Sequence, residues 1–430
     1  MQESVKTVVL PNGVRVLLVP RTGVESVMVE VKFAAGSCLE TDALSGTAHF
    51  LEHMEFRGTI RRPSATIIFR ELDTVGAASN AFTCQDQTAY HVRLEAGQLP
   101  LAVDMLADLT LNSLIREEDM AIERGAILEE ARSNLDNPSH LAYWQMHAAA
   151  YPGMALGRPI IGTLETISAL TPDHLLAFRA RHYLPSRTLV VIVGKFDETE
   201  ALRLVKGSFG AWHPGITSVG MPQELVELAP QPVVAMHHKP EAEQANIALG
   251  FRAYGHDHPR LAALDLLCNI LGGTTSSRLH ISVRQDRGLA YSVGSFTEAY
   301  RGTGLLSVMA GLAKDQLTPA IGVIVDELAR LKSEGVAPEE LARAKTNARG
   351  GLALASETSS FLSEFYGDEE LFSSAPRSFG SYLDALEAVT PTDVLDVARD
   401  VIRASTFRLG IVSPFDDPEP YLALAAKLGD

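Results

Sequence analysis

An α+β protein made of two related halves is what this sequence predicts, and three observations lead there. Short apolar or alternating strands are interleaved with long helical tracts rich in Ala, Glu and Leu. A pattern in the first half returns in the second without a gap. The length of 430 residues also exceeds what one hydrophobic core normally supports.

The elements follow in order. Val8-Val9-Leu10, the turn Pro11-Asn12-Gly13 and Val14 to Val19 read as a hairpin. Tyr90 to Leu94 alternates inward and outward residues, as a half-buried strand does. Helical tracts follow from Leu99 to Leu114 and from Glu117 to about Asn134, the second with no Pro and one Gly. Thr171-Pro172-Asp173 opens a capped helix that leads to the apolar strand Leu189 to Val193 and then to Phe196-Asp197. Thr390-Pro391-Thr392, the strand Leu409 to Val412 and Phe415-Asp416 repeat that arrangement. Upstream, Glu117-Glu118 is answered by Glu339-Glu340 at the start of another helix. Residues 213–222 are rich in Gly, Pro and Ser and lack periodicity, so they read as a linker. The expected domains are 1–212 and 229–430, joined by 213–228.

Chemistry concentrates at His49-Phe50-Leu51-Glu52-His53. Residues i and i+4 of a helix lie one above the other and i+3 shares their face, so both imidazoles can reach one metal ion beside Glu52. The order His-x-x-Glu-His reverses the commoner zinc-protease motif, but its carboxylate can still serve as general base for a metal-activated water. The same five residues on a solvated helix face would carry no metal. A catalytic zinc usually takes three protein ligands and keeps one position open. The helix from Glu117 offers the third in Glu123 to Glu130, where Glu123 and Glu130 share a face near Ile127. Helix geometry alone leaves Glu129 and Glu130 as alternatives. The second half contains no His-x-x-Glu-His, so metal is expected only in the first.

With these motifs in this order, the chain resembles the inverzincin peptidases of the pitrilysin, insulin-degrading enzyme and mitochondrial processing peptidase group. The Glu-Arg-x-x-x-x-x-Glu frame of that family, laid on Glu123-Arg124, implies Glu130 as ligand and Glu123 as the supporting glutamate. Asn80-Ala81-Phe82-Thr83, with Thr88 and Tyr90, is similar to the family's substrate-pairing edge strand. Ser276-Ser277-Arg278-Leu279, Arg284 and Gly288-Leu289-Ala290-Tyr291 resemble its carboxy-terminal signature, implying that Arg284 and Tyr291 hold the substrate carbonyl and stabilise the oxyanion. The likeness runs from near residue 8 to the end. Two positions depart from it. Glu55 stands where the family has an apolar residue, and would either add charge near the site or face solvent. Gly76-Ala77-Ala78-Ser79-Asn80 lacks the second of the paired glycines before the edge strand.

The resemblance implies two α/β-roll domains forming half of a clamshell chamber, and a zinc endopeptidase with one Zn2+ per chain acting on short or unfolded peptides. Because the chain is half the length of fused members of the family, it also implies a homodimer, or a heterodimer with a zinc-free homologue. The competing readings are a non-catalytic assembly subunit and a chaperone-like chamber that holds peptides without cutting them. A net charge of −16, from 53 acidic and 37 basic residues, argues against nucleic acid and suits a basic or neutral peptide. Cys38, Cys84 and Cys268 have no CxxC spacing and read as reduced thiols. No apolar run is long enough to span a bilayer, and Met1 to Lys6 does not resemble a signal peptide. Cytoplasm is the expected location, or periplasm if a leader has been trimmed.

Overall fold

The computed structural model describes residues 5–213 and 231–430, which fall into two compact units, each with its own sheet. In the first unit, six strands take the order β1-β2-β6-β3-β5-β4, with β1 at Lys6–Val9, β2 at Arg15–Pro20, β3 at Ser26–Phe33, β4 at Ala78–Thr83, β5 at Thr88–Glu95 and β6 at Thr188–Gly194. The hairpin expected at residues 8–19 is the antiparallel pair β1–β2, turned at Gly13 with φ of +99°. The strand β6 lies beside β2 in parallel and beside β3 in antiparallel fashion. All seven of its residues are buried, which is why it reads as an unbroken apolar run. The strand β4 pairs with β5 and ends the sheet.

The second unit repeats this plan. Its strands are β7 (Val233–His238), β8 (Gln244–Ala253), β9 (Ala290–Tyr300), β10 (Thr303–Ala313) and β11 (Arg408–Ser413), in the order β7-β11-β8-β10-β9. With β1 set aside, the two orders match strand for strand, including one parallel pair in each: β2 with β6 and β7 with β11. The repeated Thr-Pro sequences begin the helices Pro172–His182 and Pro391–Val401, and Thr171 and Thr390 each close a capping box. Duplication is thus visible in topology as well as in sequence. The fold is α+β, as expected.

Contiguous domains are not what forms. The first unit gathers Met1–Ala131, Pro159–Gln223 and Leu354–Pro376, and the second Arg132–Arg158, Glu224–Ala353 and Arg377–Asp430. This corrects the expected division at 1–212 and 229–430, because one helix from each half packs on the sheet of the other half. The linker expected at 213–228 lies, apart from His213, outside the described residues.

The reason is side-chain fit. The helix Pro138–Ala150 lies against β8 and β11 so closely that a Cβ on Gly410 would meet the Ala142 carbonyl oxygen at 2.0 Å. The helix Ser359–Phe372 is fastened to the first sheet by buried charge. Lys32 on β3 is wholly enclosed, and its Nζ lies 2.8 Å from Asp368 and 3.8 Å from Glu30. Ser363 donates to Glu30 at 2.6 Å. A buried ammonium without partners would be strongly destabilising, so Asp368 has to remain where the helix places it.

Replacing Asp368 by Ala is therefore expected to destabilise the protein by about 2–4 kcal/mol, discounted because Asp368 itself is partly exposed. Urea denaturation followed by circular dichroism measures it, and an unchanged midpoint would mean that Lys32 finds another partner.

Candidate metal and peptide site

The His-x-x-Glu-His residues lie on the short helix Thr47–Glu55. Its N-terminus carries no Ser or Thr side-chain cap; instead the buried Glu40 carboxylate accepts from the backbone N–H of Gly46 at 2.8 Å and of Ala48 at 2.7 Å. Those donors would otherwise be orphaned, and a carboxylate also suits the positive end of the helix dipole. Gly46, at φ of +94°, lets the segment pass against Ile161, where a Cβ would come within 2.5 Å of the carbonyl oxygen. Phe50, Leu51 and Met54 are fully buried, which leaves His49, Glu52 and His53 on the opposite face.

Glu55 corrects an expectation. It is fully buried rather than facing solvent, and it lies outside the histidine cluster. Burial pushes its carboxyl up to about 8, against the opposing pull of Arg179 at 3.8 Å and of Ser113. At neutral pH it therefore adds little negative charge.

The helix Glu117–Asp136 supplies the rest. Ile127 and Ala131 anchor it in the core. Glu130 lies 3.8 Å from His49 Nε2 and 3.8 Å from His53 Nε2, and one donor atom from each of the three residues falls within 4.8 Å of the others. Donors of a tetrahedral zinc at ordinary bond lengths sit about 3.4 Å apart, so this set fits the ion after a small contraction. Of the two alternatives open on helix geometry, Glu130 is the one in the cluster. Glu123 accepts at 3.1 Å from His53 Nδ1, which turns Nε2 towards Glu130, and Arg57 holds the other Glu123 oxygen at 3.0 Å.

Burial and neighbours set the charges. Burial, with His53 beside it, lowers His49 to about 3, so its ring is neutral and able to ligate. Burial also works against charging His53, but the Glu123 hydrogen bond and the carboxylates of Glu52 and Glu130 outweigh it and leave the pKa above 6.5. Glu123 is lowered chiefly by its bond to His53. Burial raises Glu52, with the Thr83 hydrogen bond and His53 opposing it.

Beside Glu52 and His53 opens a cavity of about 260 Å³ whose walls include Phe56, Phe69, Ser79 and Ala81. The rings of Phe56 and Phe69 stack with centroids 6.1 Å apart. Asn80, Ala81, Phe82 and Thr83 form the end of β4, the sheet edge, as expected of a strand that could add another. Their side chains diverge. Thr83 donates to Glu52 at 2.7 Å, whereas the Phe82 ring lies 5.6 Å from Lys32 Nζ. Arg284 and Tyr291 belong to the second unit. Arg284 lies on a π-helical turn, His280–Gln285, and Tyr291 near the start of β9, with the guanidinium 5.8 Å from the ring centroid. Tyr291 is 83% exposed. None of the three cysteines is in a disulfide; Cys268 is buried and the others half-buried.

Sequence reasoning missed Glu40, Arg57 and the side-chain partner of Thr83. Arg57 lies just past the end of the helix Thr47–Glu55, so helical spacing alone did not place it beside Glu123. Glu40 sits outside any recognised capping spacing, and its contact is tertiary.

The model described as "Insulinase (Peptidase family M16)" matches residues 15–164, and "Peptidase M16 inactive domain" matches 169–348. An uncharacterized zinc protease of Streptomyces coelicolor is 35% identical, over 97% of this chain and 91% of that protein. Another from Bacillus subtilis is 32% identical, over 95% and 98%. Among solved structures, a protease from Helicobacter pylori superposes with a TM-score of 0.90 at 23% identity, covering 96% of this chain and all of that one. A chain from complex III2 of Candida albicans gives 0.84 at 16%, covering 99% of this chain and 100% of that one, a likeness of fold alone. No helix among the described residues is long and apolar enough to cross a membrane.

A zinc ion held by this cluster would compete with a proton for His53, whose pKa is raised. Apparent zinc affinity is expected to fall about tenfold per pH unit below that pKa. Glu123→Gln removes the negative charge that helps raise it and weakens the acceptor, so the onset should move to lower pH while affinity at pH 7.5 weakens about 10–100-fold. Chelator competition across pH 5–8 measures both, and a flat profile would remove His53 from the ligand set.

Proposed function

The chain belongs to the insulinase family, peptidase family M16, and we propose that it is a zinc-dependent endopeptidase of short or unfolded peptides, with one zinc ion per chain. The observation that carries this reading is the joint placement of His49, His53 and Glu130 around one point with Glu52 on the same helix face. Zinc held by those three residues would acidify a water molecule and polarise the scissile carbonyl.

The chain's own residues supply the remaining steps. Glu52 takes the proton of the attacking water and returns it to the leaving amine, which its raised pKa suits. Glu123, braced by Arg57, fixes the tautomer and the orientation of His53. The unpaired edge of β4 would align an extended peptide through main-chain hydrogen bonds, which favours unstructured substrates. The aromatic cavity beside Glu52 would receive one apolar side chain of that peptide.

Arg284 and Tyr291 would donate hydrogen bonds where negative charge grows on the carbonyl oxygen. In a homodimer they act on the partner's site, and a zinc-free homologue could supply such a pair in a heterodimer. A non-catalytic assembly role draws support from the fold shared with the complex III2 chain. Against it stands Glu52, because a structural subunit has no use for a base beside the metal ligands.

Zinc-loaded wild type is expected to cut a library of unstructured peptides, while Glu52→Gln, equally loaded, makes no cuts. Mass spectrometry of the products reads this directly, and an inactive wild type that is folded and loaded would favour the assembly role. For the dimer, mixing Glu52→Gln chains with Tyr291→Phe chains should restore part of the activity. No recovery after proven subunit exchange would confine each active site to a single chain.

A further inference from the structure

Thr83 is expected, by resemblance, among the residues that meet substrate, but its side chain does something else. Its hydroxyl donates to Glu52 Oε2 at 2.7 Å, and among the described residues this is the hydrogen bond that Glu52 receives. The geometry points to Thr83 as a positioning residue that holds the general base in its working rotamer, an inference that rests on the peptidase reading above.

Three observations support it. First, Glu52 is a long side chain beside an open cavity, free to turn about three bonds unless something fixes it. A single donor on one carboxylate oxygen removes most of that freedom and leaves the other oxygen for the proton.

Second, Thr83 is itself rigidly mounted. It pairs with Thr88 at the closed end of the β4–β5 hairpin, and Thr88 donates from its buried hydroxyl to the Ala35 carbonyl at 2.8 Å. The turn that follows is clamped by Ser37 N–H on the Cys84 carbonyl at 3.1 Å and Cys38 N–H on the Gln85 carbonyl at 2.7 Å. Lys32 reaches the same turn through Gln87 at 3.3 Å.

Third, strand alternation puts Thr83 on the same face as Ala81, which lines the cavity, and opposite Phe82. The strand whose backbone would align the peptide thus also sets the base. A peptide seated on β4 and the Glu52 carboxylate then share one frame of reference, the condition for a near-attack geometry. A valine at this position would keep the shape and the strand preference while removing the donor.

The test uses the full-length, zinc-loaded protein as wild type, Thr83→Val and Thr83→Ser. Thr83→Val is expected to lower kcat about 10–100-fold with KM little changed, and Thr83→Ser to restore most of it. Two readouts do not depend on turnover. Zinc affinity by chelator competition should be the same in all three proteins. In a Glu52→Gln background, a peptide that the wild type cleaves should bind equally well with Thr83 or with valine, by calorimetry. The inference is overturned if Thr83→Val keeps its kcat, or if its loss appears in KM and in peptide affinity, which would make Thr83 a substrate contact. Lost zinc affinity would overturn it too, in favour of a structural role. A wild type that cuts no peptide removes the peptidase reading and this inference with it.

Discussion

The site depends on one hydrogen bond, from His53 to Glu123 at 3.1 Å, because it ties together the two helices that bring the candidate ligands. Each helix is docked by its own apolar face, Phe50, Leu51 and Met54 on one and Ile127 and Ala131 on the other. Core packing brings the helices close, but it does not choose how an imidazole is turned. The bond to Glu123 does, and Arg57 keeps Glu123 from turning away. Without it, the Nε2 atom that faces Glu130 would be one of several rotamers.

Burial then decides protonation. His49 is enclosed beside a second imidazole and is pushed to about 3, whereas His53 has three carboxylates near it and stays above its usual value. The same residue type is thus held neutral at one position and made easier to protonate at the other. Glu52 is raised by burial within reach of solvent, while Glu55, wholly enclosed, is raised to about 8 and is electrically quiet. Two carboxylates on one short helix thereby differ in charge behaviour through their surroundings alone.

Duplication explains the scaffold and its limits. Both sheets have the same strand order, and each is completed by a helix from the other half of the chain. Buried partners enforce the exchange: Lys32 requires Asp368, and Gly410 leaves room for the backbone at Ala142. The first copy carries the candidate ligands His49, His53 and Glu130 on its helices. The second, matched by a model described as an inactive domain, presents Arg284 and Tyr291 at the opening of a sheet-edge strand.

Much of this was legible in the sequence, because local periodicity and short spacings survive into the fold. The hairpin, the strand at Tyr90, the helices at Leu99 and Glu117 and the repeat all follow from patterns within a few residues. So does the common face of His49, Glu52 and His53, since the helical repeat alone puts i, i+3 and i+4 together. What lay beyond the sequence was every choice made between distant segments. Helix periodicity left Glu129 and Glu130 open, and only the resemblance pointed to Glu130; the cap from Glu40, the burial of Glu55 and the bond from Thr83 to Glu52 are contacts that no spacing encodes. The domain limits were misjudged for the same reason. Composition marks where a chain loosens, but only packing decides which sheet a helix will cover.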